Sequence, residues 1–448
     1  TTASNNTAVG YQAGYNNTTG DKNLFVGVYA GYSNTTGQYN SFAGGIDING
    51  YGAGYTNSAG NYNTAFGSGS LAKATTADAN TAIGYRAAFN VTTGTANVIV
   101  GYGALSTATT ASYSTALGYQ SLYANTTGSK NTAVGYRAAY SITTGISNTA
   151  VGQQALVANT GGTYNVAVGD TALNDNTTGS SNTAVGMEAG YRNSTASNNT
   201  FVGFQAAKLT TTGANNTAMG SMALYNNTTG GNNTAMGYQA AYNNTTGASN
   251  VAVGYQSGYS NTTGGNNVAV GYRAAYSNTV GLQNTAVGAA ALNSGTASNN
   301  TSAFGFQALY NLVSGDANSG FGYNALYSTT TGQSNTAVGG GSLQSNTIGS
   351  ANTAVGYLSA FNNTTGQYNT TVGYQAAYSN VVGTQNTAVG MYAGYYNTGS
   401  NNTYLGYASG PNAAAGSGSS NVGIGVYALG SNTTGSSNTA VGYQAGYS

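Results

Sequence analysis

Apolar and small residues along the chain recur on a fixed period, and glycine marks the register. The glycine that closes Asn-Thr-Ala-Val-Gly falls at Gly10 and Gly27, then at Gly67, Gly84, Gly101, Gly118 and Gly135, and later at Gly237, Gly254 and Gly271. From Gly67 to Gly390 every step is 17 residues. The consensus unit reads Asn-Thr-Ala-Val-Gly-Tyr-Gln-Ala-x-Tyr-x-Asn-Thr-Thr-Gly-x-x.

The residue before the glycine is apolar, as at Val9, Phe66, Ile83, Leu117, Val134, Val151, Val185, Met219, Val253 and Val270. Two residues earlier sits Thr or Val, as at Thr81, Val98, Thr132 and Val166. Strand side chains alternate with period two, so these two positions share one face of a short strand. That pattern predicts a core face, with Val9, Val134, Val151, Val185, Val253 and Val270 inside. Three residues past the glycine only Ala or Ser occurs, as at Ala13, Ser70, Ala138 and Ser257. Such a position packs against another backbone. The residue two past the glycine is Gln12, Arg86, Arg137, Glu188, Gln239 or Arg273, and a site that accepts charge of either sign faces water.

Between these segments lies Asn-Asn-Thr-Thr-Gly or a variant, as at Asn16–Gly20 and Asn243–Gly247. Asn and Thr bond their own backbone in turns, and Gly adopts positive φ at no steric cost. No 3.6-residue period appears, so helices are excluded. Two β folds fit: a solenoid whose rungs each hold two short strands, or a train of hairpins. Hairpins favour Asn-Gly or Asp-Gly turns, and Asn49-Gly50 is the single such pair. Identical units also stack best directly over one another. The predicted fold class is therefore all-β, a parallel β-solenoid or β-roll of about 26 rungs in one array over residues 1–448. At about 4.8 Å per rung it forms an elongated rod of roughly 125 Å. Register breaks near residues 45–50 and 407–424 predict loops, the second holding the lone proline, Pro411. A rung is too small to bury its own apolar face, so columns of like residues supply the core, and association into a multi-chain shaft is expected.

Composition narrows the function. Charged residues make up 3% of the chain, and His and Cys are absent, which removes the usual ligands of zinc, haem and iron–sulfur centres. A net charge of +1 offers no footprint for nucleic acid. No apolar run is long enough to span a bilayer. No metal, cofactor or enzymatic activity is expected. The acids are scattered, and Asp170 and Asp175 form the one close pair, read as solvated substitutions. The chain opens on Thr1-Thr2-Ala3 and stops partway through a unit, which reads as a piece of a longer protein.

The unit Asn-Thr-Ala-Val-Gly-Tyr-Gln-Ala-x-Tyr, followed by Asn-Thr-Thr-Gly, resembles repeat regions of phage tail-fibre-like proteins. Many of those end in a self-cleaving peptidase S74 chaperone domain. More distantly, Asn-Thr-Ala-Val-Gly is similar to the Asn-Ser-Val-Ala-Ile-Gly unit in YadA-like heads of trimeric autotransporter adhesins. Those have a shorter period. The resemblance implies homotrimeric or filamentous self-association, display on a cell surface or virion, and a part in adhesion.

Tyrosine, 39 residues in all, recurs one and five residues past the glycine: Tyr11 and Tyr15, Tyr136 and Tyr140, Tyr238 and Tyr242, Tyr255 and Tyr259. These columns are candidates for a glycan- or receptor-binding strip, since tyrosine offers an apolar face with a polar tip. Packing between chains or between rungs is the other reading. The Asn-x-Thr pattern, as at Asn17-Thr18-Thr19 and Asn125-Thr126-Thr127, also spells glycosylation sequons, though turn chemistry accounts for it. Four functional readings follow: a structural fibre, a repeat module binding glycan or receptor, an ice-binding solenoid, and a disordered assembly-prone chain. The ice-binding reading is weakened because the paired threonines fall in a turn. The strict register and 40% hydrophobic content oppose disorder.

Overall fold

The computed structural model describes residues 2–412 and 415–447. All 26 strands are three residues long, and no helix occurs among the described residues. The chain falls into two compact units, Thr1–Thr229 and Gly230–Ser448.

In the first unit, thirteen strands from β1 (Thr7–Val9) to β13 (Thr217–Met219) pair in sequence order and in parallel. In the second, β14 (Thr234–Met236) to β26 (Thr439–Val441) do the same. Residues sit over their own counterparts: Thr132 pairs with Thr149, Ala133 with Ala150 and Val134 with Val151. Each unit is a β-solenoid of 17-residue rungs.

Each rung holds one strand, not the two that the sequence pattern predicts. The rest of the rung is a run of turns. In the rung built on Ala133, Gly135 takes φ 137°, and Arg137, Ala139 and Ser147 take left-handed φ of 52°, 52° and 56°. Each sign change swings the chain, so no second extended segment survives. The backbone ladder still runs around these turns. Arg137 N–H donates to Tyr119 O, and Ala139 N–H donates to Ala155 O, both at 2.9 Å. Rung-to-rung bonding therefore satisfies the turns as well as the strands.

The glycine column is fixed by contact as well as by φ. A Cβ on Gly135 would lie 2.5 Å from the carbonyl oxygen of Gly152 in the next rung. No side chain fits that approach.

The core departs from the sequence reading. In a three-residue strand only the middle side chain points inward, and that residue is the alanine: Ala133, Ala150, Ala167 and Ala184 are fully buried. The predicted core valines flank it and point outward. Val9 and Val185 are exposed, and Val134, Val151, Val253 and Val270 are half-buried. The remaining core comes from the Ala/Ser position, such as Ala138, and from the left-handed residue after it, such as Leu122 or Ala139.

Volume is balanced between adjoining rungs. Where a large aromatic residue replaces the strand alanine, glycine stands at the left-handed position of its own or the preceding rung, whereas Ile99 has Ala88 and Leu105 at those positions. Phe25 packs where Gly14 and Gly31 leave room, and a Cβ on Gly190 would come within 2.6 Å of the Phe201 ring. Tyr404 likewise fills space left by Gly394 and Gly410.

Two asparagine columns line the interior. In the first, Asn165 Oδ1 accepts the Asn182 backbone N–H at 3.0 Å, while Asn165 Nδ2 donates to Gly179 O at 2.9 Å. In the second, the turn asparagine Asn176 donates from Nδ2 to the same Gly179 O at 3.0 Å. The first column holds only Asn, Ser114 or Thr301; Ser114 Oγ still accepts the Asn131 N–H, and the Thr301 N–H still donates to Asn284 Oδ1. The second also holds Ala74, Val91, Ile142 and Leu312, all buried; its recurring bond is the one within the turn, and only some members, such as Asn34 donating to Asn17 Oδ1 at 3.0 Å, also bond between rungs.

Both register breaks leave the strand pairing intact. Ser41–Ala43 pairs directly with Thr64–Phe66, so the extra residues at 45–50 form a loop. There Asp47 Oδ1 accepts the N–H groups of Asn49 and Tyr51, both at 2.9 Å, and Asp47 Oδ2 meets Arg86 Nη2 at 2.7 Å. Thr403–Leu405 pairs with Val422–Ile424 across the second break. Residues 413 and 414 of that stretch lie outside the described residues, as do the two ends of the predicted array, 1 and 448.

Candidate functional site

With the interior filled by alanine, leucine and asparagine, function falls to the outward columns. The strand contributes two. One is mainly Thr with some Val, Ser and Leu. The other is the residue before the glycine, and it is apolar in all 26 strands. None of these 26 residues is buried, and Phe66 reaches 62% exposure.

The tyrosine columns lie beside that strip. Tyr11, Tyr15, Tyr136, Tyr238 and Tyr255 are exposed, and Tyr140, Tyr242 and Tyr259 are half-buried. Their rings stack on one another along the solenoid. Tyr119 and Tyr136 lie 5.4 Å apart at 9°, Tyr123 and Tyr140 5.2 Å at 4°, and Tyr242 and Tyr259 5.3 Å at 7°. Burial within the stack, then Tyr276 and Tyr238, pushes the Tyr259 phenol up. Stacking covers the ring faces, so an unbroken column presents ring edges and hydroxyls only. That geometry removes the continuous tyrosine strip as a platform for stacked sugars.

The column two past the glycine is half-buried rather than freely solvated, and its residues are left-handed. Arg137 packs 4.4 Å over the Tyr140 ring. Glu188 accepts from Gln205 Nε2 at 2.6 Å and Lys208 Nζ at 2.8 Å. The Lys208 bond, with Gln205 after it, holds the Glu188 carboxyl below its ordinary range. Asp170 is exposed, while Asp175 is half-buried, where burial pushes its carboxyl up against the pull of Arg192. Among the described residues no group of three or more acids could hold a metal ion, and no helix is long and apolar enough to cross a membrane.

The sequon asparagine points inward. Asn125 is fully buried with Nδ2 donating to Gly128 O at 2.7 Å, so the atom that would carry a glycan is already engaged. The first turn threonine is also tied down, Thr126 Oγ1 donating to Thr143 O at 3.0 Å.

Two cavities open on the tyrosine flank in the second unit. One, of about 410 Å³, lies at a rung that lacks both tyrosines. The other, of about 340 Å³, is walled by Tyr392, Tyr395, Tyr407 and Tyr427. Sequence reasoning missed both. The first was legible as Ala289-Ala290 and Asn293, where neighbouring rungs carry Tyr272-Arg273 and Tyr276.

The fold and these columns define a β-solenoid repeat protein. No family model matches the chain, and no curated protein matches it.

Proposed function

We propose that the chain is a non-enzymatic structural shaft that works as several copies laid side by side, displayed outside a cell or on a virion to carry an attachment point. One observation carries this reading. The column before the glycine is apolar in every strand, yet the chain itself leaves it exposed or half-buried. Neighbouring outward columns accept Asp170, Glu188 and Lys208. A position that stays apolar while facing outward is shaped by something beyond the fold.

The partner that fits is a second copy. The strip carries no charge to repel its own image, and its length repeats at the same rung spacing in every copy. Thirteen rungs at about 4.8 Å give a strip about 60 Å long in each unit. Placement outside a cell follows the resemblance of the repeat to tail-fibre-like proteins.

Sedimentation velocity on the purified chain tests the proposal. We expect a discrete oligomer at micromolar concentration. Val134→Glu, Val151→Glu and Val168→Glu together give monomers with an unchanged β-sheet circular dichroism spectrum. A wild-type chain that stays monomeric at about 100 μM overturns it.

A further inference from the structure

The rung that begins at Gly288 is stripped of its large outward side chains. Ala289, Ala290 and Asn293 stand where the rung before it has Tyr272, Arg273 and Tyr276. The rung after it resumes with Phe306, Gln307 and Tyr310. The result is the cavity of about 410 Å³, within the size range of small-ligand sites. Asn293 does not refill it, since Nδ2 turns back to Arg273 O at 3.2 Å.

The walls are aromatic and braced from behind. Tyr276 is backed by Tyr259 at 5.1 Å, and Tyr310 by Tyr327 at 5.3 Å. Tyr272 is backed by Tyr255 at 5.4 Å, and Phe306 by Tyr323 at 5.6 Å. Each ring therefore has one face covered and one face turned toward the gap, and little order is lost on binding. Arg273 is pinned too, with Nε on Gln256 Oε1 at 3.0 Å and its guanidinium 5.0 Å from the Tyr276 ring centre.

The first unit shows that such a gap takes a guest. At Lys208 the same tyrosine position is vacated, and the lysine ammonium lies 6.0 Å from both the Tyr191 and Tyr225 ring centres. There the chain supplies its own filling. At Ala289 and Asn293 it does not.

The gap spans two rungs, about 9.6 Å. Two van der Waals contacts of about 3.5–4.0 Å account for most of it. Roughly 2 Å is left for the thickness of the guest. Neighbouring rungs fill the same spacing with a tyrosine ring, and a pyranose ring, made thicker by C–H bonds on both faces, closes the gap more fully while its hydroxyls meet the polar lining. Arg273 is the one charged residue in the lining, and Gln307 and Ser277 add polar groups for hydroxyls. We propose that this notch binds one hexopyranose residue, clasped between Tyr276 and Tyr310, with an acidic sugar preferred through Arg273.

Saturation-transfer NMR with a triuronide and a neutral trisaccharide as probes tests this. Wild-type protein should bind the triuronide saturably, at least tenfold tighter than the neutral sugar. Ala289→Tyr with Asn293→Tyr restores the side chains found in neighbouring rungs, so the fold is kept while binding falls at least tenfold. Arg273→Gln should keep sugar binding and lose the acidic preference. No saturable binding by wild type, undiminished binding by the filled variant, or binding of a tyrosine-rich peptide in place of sugar overturns the proposal. None of these outcomes bears on oligomeric state, so the shaft reading stands or falls separately.

Discussion

Two asparagines in one rung look equivalent in the sequence and are not. Asn165 serves the next rung, accepting the Asn182 N–H, while Asn176 serves its own turn and leaves Oδ1 unpaired. Losing the first orphans a buried donor, which costs about 1–3 kcal/mol beyond the lost bond. Asn165→Leu should therefore destabilise by roughly 2–4 kcal/mol. Asn176→Leu should cost under about 1 kcal/mol, since Gly179 O keeps its bond from Asn165 and an unpaired oxygen is removed. Urea melts of the two variants check this, and equal losses contradict the assignment. The difference was partly legible: one column admits Ile142 and Leu312, the other only Ser114 and Thr301. The valines misled for a related reason. Strict apolarity reads as burial within the chain, whereas a three-residue strand turns only its middle side chain inward.

A rung is the smallest element that repeats, and its inner volume is shared between the strand centre and the left-handed position after Ala/Ser. Gly190 makes room for Phe201, whereas Gly258 faces only Ala252 and Ala269, beside a small internal cavity. The same substitution should then act with opposite signs. Gly190→Leu overpacks and should cost roughly 1–3 kcal/mol. Gly258→Leu fills space, and Leu292 already adopts the required left-handed φ, so it should be neutral or stabilising by up to about 1 kcal/mol. Thermal melts decide; loss of stability in both contradicts the volume-sharing account. The period, the turns and the parallel stacking were legible because they follow from repetition alone. The single strand per rung was not. Left-handed Arg137, Ala139 and Leu122 have side chains that ordinarily avoid that region, and only the rung above and below holds them there.

Over the whole molecule, fifteen charged side chains leave few groups to couple stability to pH. Glu188, held low by Lys208, stabilises above the ordinary glutamate range, and that contribution fades as pH falls. Asp175, pushed up by burial, acts oppositely, its penalty relieved in acid. Melting temperature should stay flat from about pH 5 to pH 9. Burial pushes the Tyr404 phenol up to about 12, so its neutral form is favoured in the fold. That contribution is complete below about pH 10 and is lost as pH rises toward the folded value. Alkaline unfolding should begin above about pH 10, and Tyr404→Phe should move its midpoint upward. An unchanged midpoint in the variant would assign the transition to other tyrosines.

Cross-section is where the account meets its hardest test. An electron cryomicroscopy map of the purified protein should show two or more parallel copies, each with one short strand per rung. Val134, Val151 and their counterparts should lie at the contact between copies. A map of single copies with that apolar column open to solvent contradicts the account.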